Sequence, residues 1–374
     1  MSKPIARRKR VVRKSSKSEK QTEIFPVKTY HDPKNFISSG NTHLNLALSG
    51  TPYGAYRKGT MVNIIGDSHT GKTVLALAGL GSAINNPEFD DYIKVYDEPE
   101  HALQINVAKM FSPKIHAAID YGYRSKTVEE FRNNYFSLIN AGKKVIYVLD
   151  SFDSLSSDAE VARISAAAKG NKEKGSYKTE KAVVCSELFR VTTAPLEETG
   201  SILIIVSQTR QNIGFGAMFS PKTRNGGDAL DFYAHDIFWL SRLKKIIVSK
   251  ELKDFPIGAD IGIKCTKNKI SGKQRVAKIS IYNDYGLDDI GSFVNFLITE
   301  KVFIPNASRF TAVELKADKE MNKTDYSLFG QQLKKNEIIP YIEKHDLEEK
   351  VIDLMANKWT EIEEKCRIKR KPRW

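Results

Sequence analysis

The sequence predicts an α/β fold: a mainly parallel, twisted sheet flanked by helices, with a small, mainly helical appendage towards the C-terminal end. Three observations predict it. Short apolar runs alternate with helix-length stretches from about residue 60 to residue 206, the pattern of parallel strands covered on both faces. The first strand and helix of that series enclose Gly66-Asp-Ser-His-Thr-Gly-Lys-Thr73, a phosphate loop in the setting that its chemistry requires. Beyond Pro305 the strand pattern gives way to apolar residues at helical spacing.

Residues 1–22 are rich in Lys, Arg and Ser with almost nothing to bury, and read as a disordered basic tail. Ile24–Val27, with Pro26, is either an edge strand or a docking strand for a neighbour, and it opens a core that runs over residues 23–304. Ser39–Leu48 combines turn residues with Leu44, Leu46 and Leu48, and a glycine-bearing loop, Gly50–Gly59, leads into the strand Val62–Ile65. In the phosphate loop, Gly66, Asp67, Ser68, His69, Thr70 and Gly71 curl backbone N–H groups around a polyphosphate. Lys72 reaches the outer phosphates, Thr73 holds Mg²⁺, and the following helix offers its positive end. Ile93–Tyr96, Lys144–Leu149 and Ser201–Val206 read as strands, and Ala102–Met110, Val128–Ala141 and Ala182–Leu196 as helices. Asp236–Leu243, Ile246–Val248, Ile261–Cys265 and Val276–Tyr282 follow as adjacent strands. Over residues 305–365, Asp346 and Glu349 suggest a capping box before a helix whose apolar face is Leu347, Val351, Leu354, Met355, Trp359 and Ile362. That stretch is a separate appendage or a helix completing the core. Residues 366–374 form a second basic tail.

Composition narrows the class. With 374 residues, 41% of them hydrophobic, the chain holds one large core with appendages, or about two to three domains of about 150 residues. No apolar run approaches the roughly 18 residues that span a bilayer, and Met1-Ser-Lys-Pro4 lacks the apolar centre of a secretion signal. Cys185, Cys265 and Cys366 show no C-x-x-C spacing, which argues against a disulfide framework or a zinc site. The expectation is a soluble protein of a reducing, intracellular compartment. The net charge of +14 sits in the tails: nine Lys/Arg against one acid in residues 1–20 and five against none in residues 366–374. Such tails suit a polyanion, most simply nucleic acid; the alternatives are a solubilising tail and a localisation signal.

A phosphate loop needs a second acid to organise Mg²⁺, and Val145-Ile-Tyr-Val-Leu-Asp150 supplies one at the end of an apolar strand. Hydrolysis also needs a carboxylate that orients or deprotonates water. Asp97-Glu-Pro-Glu100 offers Glu98 and Glu100.

At this point the sequence resembles the RecA family, over roughly residues 36–305. The likeness rests on Glu100-His-Ala-Leu103, Ser207-Gln-Thr-Arg-Gln-Asn-Ile-Gly214, Phe219-Ser-Pro221 through Gly226-Gly-Asp-Ala-Leu-Asp-Phe-Tyr-Ala234, Lys267-Asn-Lys-Ile270 and Ile281–Gly286, in the family's order. Both ends depart from the bacterial form, which makes the chain similar to bacteriophage recombinases of that family. The resemblance implies a RecA-like ATPase core that binds ATP and Mg²⁺ and forms helical filaments on single-stranded DNA. It implies pairing with double-stranded DNA, and single-strand-binding and loading proteins as accessory partners, in the cytoplasm of a bacterial host. By position it makes Glu100 the activator of water and Gln208 the sensor of the terminal phosphate. It places Lys267 and Lys269 as a pair reaching a neighbour's ATP. DNA contact falls to a first loop, about residues 162–181, with Ser186 and Arg190 on the helix after it, and to a second, residues 209–227, with Arg210, Lys222, Arg224, Gly226 and Gly227.

Some features depart from that pattern. Gln104-Ile-Asn-Val-Ala108 stands where the family has Asp-Pro and an adenine-stacking tyrosine. Asp97-Glu-Pro-Glu100 carries one residue more than the usual spacing, so Glu98 competes with Glu100 for the catalytic role. The polymerisation helix is not evident, and the family's acidic C-terminal tail is replaced by basic Arg367–Arg373. Three other classes compete with a recombinase: a ring-forming motor of the helicase kind, a non-hydrolysing recombination mediator, and a nucleotide kinase. Deleting residues 1–20 is expected to weaken DNA binding most at low salt and to flatten the slope of log affinity against log salt by roughly 0.9 for each phosphate no longer neutralised. An unchanged slope in a salt titration would assign the tail to localisation.

Overall fold

The structure, a computed structural model, describes residues 32–103, 105–169, 179–211, 222–224, 227–250, 253–306, 309–312 and 333–370. The tail over residues 1–22, the segment Ile24–Val27 and residues 371–374 lie outside them.

A two-residue strand, β1 (Phe36–Ile37), leads to α1 (Thr42–Ser49), whose first turn is closed by the Asn41 side chain accepting from Leu44 N–H. After β2 (Tyr56–Arg57), which pairs with β1, comes β3 (Thr60–Gly66), buried at every position. Then follow α2 (Lys72–Ile84), β4 (Tyr92–Asp97), the short α3 (Val107–Met110) and α4 (Pro113–Ala118), α5 (Val128–Asn140), β5 (Lys144–Asp150), α6 (Asp158–Ala168) and α7 (Thr179–Thr199). The helix expected over Ala102–Met110 is confined to its last four residues, because residues before it form a turn held by Glu98. Part of the first expected loop is helical: Ser157 caps α6 by accepting from Glu160 N–H at 3.2 Å, and α7 begins at Thr179. Residues 170–178 lie outside the described set.

The chain continues through β6 (Ile202–Gln211), β7 (Lys222–Arg224), α8 (Gly227–Tyr233), β8 (Asp236–Lys250), β9 (Lys253–Asn268), β10 (Val276–Tyr282), β11 (Gly286–Asp288) and α9 (Asp289–Thr299). Asp236–Leu243 and Ile246–Val248, expected as two strands, are one: three register shifts interrupt the β8–β9 pairing without ending the strand. Among the described residues the main sheet runs β11-β10-β9-β8-β3-β6-β5-β4, with β7 paired to β6. β3, β4, β5, β6 and β8 are mutually parallel, and β9 to β11 return antiparallel. The predicted α/β class is the class found.

Both faces of the sheet are covered, and strand alternation divides the apolar residues between them. Val62 and Ile64 of β3, with Ile202 and Ile204 of β6, join one core with α1, α2 and α9. Met61 and Ile65, with Leu203 and Ile205, join the other with α5 and α7. A contact across 247 residues ties the beginning of the fold to its end, where Asp289 accepts from both the N–H and the hydroxyl of Thr42 at 2.7 Å.

Beyond α9 come β12 (Phe303–Asn306), β13 (Arg309–Ala312) and β14 (Leu333–Lys334), a small antiparallel sheet, then α10 (Lys335–Lys344) and α11 (Glu348–Lys365). The expected Asp346–Glu349 box does not form. Asp346 has φ 50°, and α11 starts from Leu347 without a side-chain cap. The apolar face of α11 is as its spacing predicts: Val351, Met355 and Trp359 are buried. Trp359 packs edge-on to His43 of α1 and tilted against Phe296 of α9, and Glu363 takes ion pairs from Lys273 and Arg275. Trp359→Ala is expected to cost about 3–5 kcal/mol, the usual loss for a buried tryptophan, read as a lowered urea midpoint; an unchanged midpoint would mean that α11 is not part of the cooperative core.

Candidate nucleotide site and DNA-facing loops

β3 delivers the chain to its carboxyl end at Gly66, where a Cβ would sit 2.6 Å from Thr70 Oγ1 and 3.0 Å from the Leu240 carbonyl oxygen. The loop closes at Gly71, whose φ of 82° is the left-handed backbone that favours glycine; a Cβ there would also push against the end of the Ile281 side chain. Gly71 gives α2 no side-chain cap, so the orphan N–H groups of its first turn face the loop. Ser68, His69 and Thr70 complete the turn, with Thr70 Oγ1 donating to the Asp67 carbonyl at 2.8 Å. Lys72 is buried, its Nζ donates to the same carbonyl at 2.7 Å, and burial lowers its pKa against the pull of Asp150 and Asp67.

β5 ends beside it. Asp150 Oδ2 accepts from Thr73 Oγ1 at 2.6 Å and from Tyr96 OH at 3.0 Å. Burial raises the Asp150 pKa, while those two hydrogen bonds pull it down. A hydroxyl and a carboxylate in contact at the mouth of a phosphate loop are an oxygen donor pair suited to Mg²⁺, which binds through one or two protein oxygens plus phosphates and water.

The two competing glutamates part company. Glu98 is buried and turns into its own loop, where Oε1 accepts from the N–H groups of Ala102 and Leu103. Glu100 faces the site: its Oε1 accepts from Ser151 Oγ at 2.6 Å, Ser154 Oγ at 2.7 Å and Gln208 Nε2 at 3.0 Å. Gln208, near the far end of β6, is held by its N–H to Asp153 Oδ2 at 2.5 Å. Lys72, Thr73, Glu100, Asp150 and Gln208 are therefore brought together at one edge of the sheet.

The RecA N-terminal domain family matches residues 15–288. The chain belongs to the RecA family. It is 27% identical to protein RecA of Nautilia profundicola over 272 residues, covering 71% of this chain and 70% of that protein. It is 28% identical to protein RecA of Corynebacterium urealyticum over 285 residues, 75% and 69% of the two chains, and 29% identical to protein RecA of Corynebacterium jeikeium over 284 residues, 75% and 68%. RecA-family proteins are DNA-dependent ATPases that act in recombination.

Lys267 and Lys269 are not at this edge. Lys267 pairs with Ile237, three positions before Leu240, the partner of Gly66, and its Nζ donates to the carbonyls of Asp231 and Phe232 at 2.6 and 2.8 Å. Lys269 N–H donates to the carbonyl of His235 and to Asp236 Oδ1, both at 3.1 Å. His235 in turn brackets Met61 by two hydrogen bonds. Measured along β3 at about 3.3 Å per residue, Lys267 is level with Asn63, about 10 Å from Gly66, and the His235–Met61 contact beside Lys269 is about 17 Å from it.

Of the expected DNA-facing residues, Ser186 and Arg190 lie one turn apart on α7, with Arg190 exposed, and Cys185, Leu188 and Phe189 buried between and beside them. Ser186 lies within α7 rather than at its start, since the helix begins at Thr179. The backbones of Arg210, Lys222 and Arg224 belong to the β6–β7 ribbon, in which Thr209 opposes Arg224 and Gln211 opposes Lys222. Gly227 opens α8, and Gly226 lies outside the described residues.

One part of the site was not foreseen. A cavity of about 480 Å³ continues from Lys72 and Thr73 past Ile105 and Met110 to Tyr282 and Asn283, within the range of about 300–1,000 Å³ usual for small-molecule sites. Five separate stretches between His69 and Asn283 build it, Arg242 with Lys245 and Pro256–Ile261 among them, so no local motif marks it, although Ile281–Gly286 carries part of the family likeness.

Asp236, below the lysine loop, is fully buried; one carboxylate oxygen has no partner among the described residues, and burial pushes its pKa up to about 7 from 3.8. Between about pH 4 and 7 the folded chain keeps a proton that the unfolded chain has lost, so stability falls as pH rises through that window. Asp236→Asn should flatten the change in melting temperature between pH 4.5 and 7.5; an undiminished change would place its origin elsewhere.

Proposed function

We propose that this protein is a DNA-dependent ATPase that assembles as a filament on single-stranded DNA and promotes homologous pairing and strand exchange with a duplex. The observation that carries the reading is the Gln208–Glu100 hydrogen bond. Gln208 lies on the strand that runs into the basic loop, and Glu100 is the carboxylate facing the phosphate loop. A change in one therefore reaches the other through a single contact.

In this reading the loop amides of Gly66–Gly71 and Lys72 bind the polyphosphate, and Thr73 with Asp150 holds Mg²⁺. The metal, when bound, neutralises charge on the phosphates. Glu100 orients the attacking water and accepts its proton. Ser151 and Ser154 keep its carboxylate in place, and Gln208 registers the terminal phosphate. Arg210, Lys222, Arg224, Gly226, Gly227, Ser186 and Arg190 take the DNA backbone, since charged side chains and close-lying amides contact phosphates whatever the sequence. Lys267 and Lys269, remote from their own phosphate loop, act on the nucleotide of the next subunit, so hydrolysis depends on assembly. The chain divides into the core over residues 23–304, the region over 305–365 and basic tails at both ends. Among the described residues no helix is long and apolar enough to cross a membrane.

ATP hydrolysis measured with and without single-stranded DNA tests this. Strong stimulation that rises steeply with protein concentration is expected, and Lys72→Ala should lose turnover altogether. Replacing Lys267 and Lys269 together should remove the stimulation and leave the fold intact by circular dichroism. Turnover indifferent to DNA would point to a different motor or a kinase, and DNA binding without turnover to a mediator.

A further inference from the structure

Asp67 is where the phosphate loop touches the strand that leads into the basic loop. Its carbonyl takes the hydrogen bonds of Lys72 Nζ and Thr70 Oγ1, and its carboxylate Oδ1 accepts from Thr209 Oγ1. Thr209 opposes Arg224 in the β6–β7 ribbon, so it is the first rung of the base on which that loop stands. Gln208 and Thr209 are successive residues of one strand and point to opposite faces. The Gln208 side chain goes to Glu100, and the Thr209 side chain goes to the phosphate loop itself.

An acid is an awkward residue in a loop that wraps a polyphosphate, because the ligand repels it. A donor that holds the carboxylate to one side relieves that repulsion, and the Thr209 hydroxyl is such a donor. An arriving phosphate also competes with the Asp67 carbonyl for the Lys72 ammonium. Both effects fall on the residue that Thr209 holds.

We infer that the Asp67–Thr209 hydrogen bond is a second coupling route between nucleotide and DNA, separate from the Gln208–Glu100 contact, with Asp67 and Thr209 acting as positioning residues. It rests on the DNA-dependent ATPase reading above. Phosphate occupancy sets the position of the Asp67 carboxylate, the carboxylate sets the first rung of the ribbon, and the ribbon sets the loop. Coupling of this kind is reciprocal, so DNA on the ribbon changes nucleotide affinity by the same factor as nucleotide changes DNA affinity.

The test uses the full chain and a fluorescent ATP analogue with Mg²⁺, titrated with and without oligo(dT); the ratio of the two dissociation constants is the coupling factor. Thr209→Val keeps the shape and removes the donor, and Thr209→Ser keeps the donor. Thr209→Val is expected to lower the coupling factor by about fivefold or more, and Thr209→Ser to stay within about twofold of the wild type. Adding Asp67→Ala to Thr209→Val should lower it no further, since the two changes remove one interaction. A wild-type factor in Thr209→Val, or an equal loss in Thr209→Ser, would overturn the inference. Should Thr209→Val fail to fold, Asp67→Ala replaces it, and a wild-type factor there overturns the inference equally. A wild-type protein with no coupling at all would instead overturn the DNA-dependent reading, and this route with it.

Discussion

The site depends on the parallel register of β3 with its neighbours. Gly66 stands opposite Gln208, Asp150 opposite Val206, and Asp97 opposite Leu149, so the loops that leave four strands converge at one edge of the sheet. In parallel sheets, ligands collect at the carboxyl ends of the strands. The register is held by burial on both faces. A slip of one residue in β3 would exchange Val62 and Ile64 with Met61 and Ile65, and would carry Asn63 away from Ser207, whose hydroxyl it accepts at 2.8 Å. Packing far from the phosphate loop thereby fixes where the candidate site residues sit.

Local chemistry was the legible part of the sequence. The glycines of the phosphate loop, Lys72 and Thr73 occupy fixed positions within eight residues, and Asp150 ends the hydrophobic run Val145–Leu149. The choice between Glu98 and Glu100 was not legible. It depends on which carboxylate meets two backbone N–H groups in its own turn, and a single extra residue shifts that. The cavity that ends at Tyr282 and Asn283 was hidden for a related reason, since its walls come from residues more than 150 positions apart. The start of α11 misled because Asp346 adopts a left-handed backbone, which removes it from capping geometry although its spacing from Glu349 is correct.

The C-terminal region is tied to the core by mixed means. Trp359 and its neighbours bury apolar surface against α1 and α9, while Glu363 holds Lys273 and Arg275 in the turn between β9 and β10. Those ion pairs draw the Glu363 pKa down to about 2 from 4.5. Lys273 is exposed and Arg275 only half-buried, so water screens the pairs, and they orient that turn more than they stabilise it. The turn follows directly after Lys269. The last helix is thus mechanically continuous with the lysine loop, although its sequence carries no sign of that role.

The separation of the lysine loop from the phosphate loop has a consequence for an assembly in which one completes the other. Two different surfaces meet in such a contact, so it is head-to-tail and does not close on itself as a two-fold dimer does. A polymer built on such contacts has a direction. At one terminus a subunit holds nucleotide with no neighbour's lysines to act on it; at the opposite terminus a subunit's lysines have no nucleotide to reach. In that assembly the first terminus would keep its ATP longest, because no neighbour's lysines act on it.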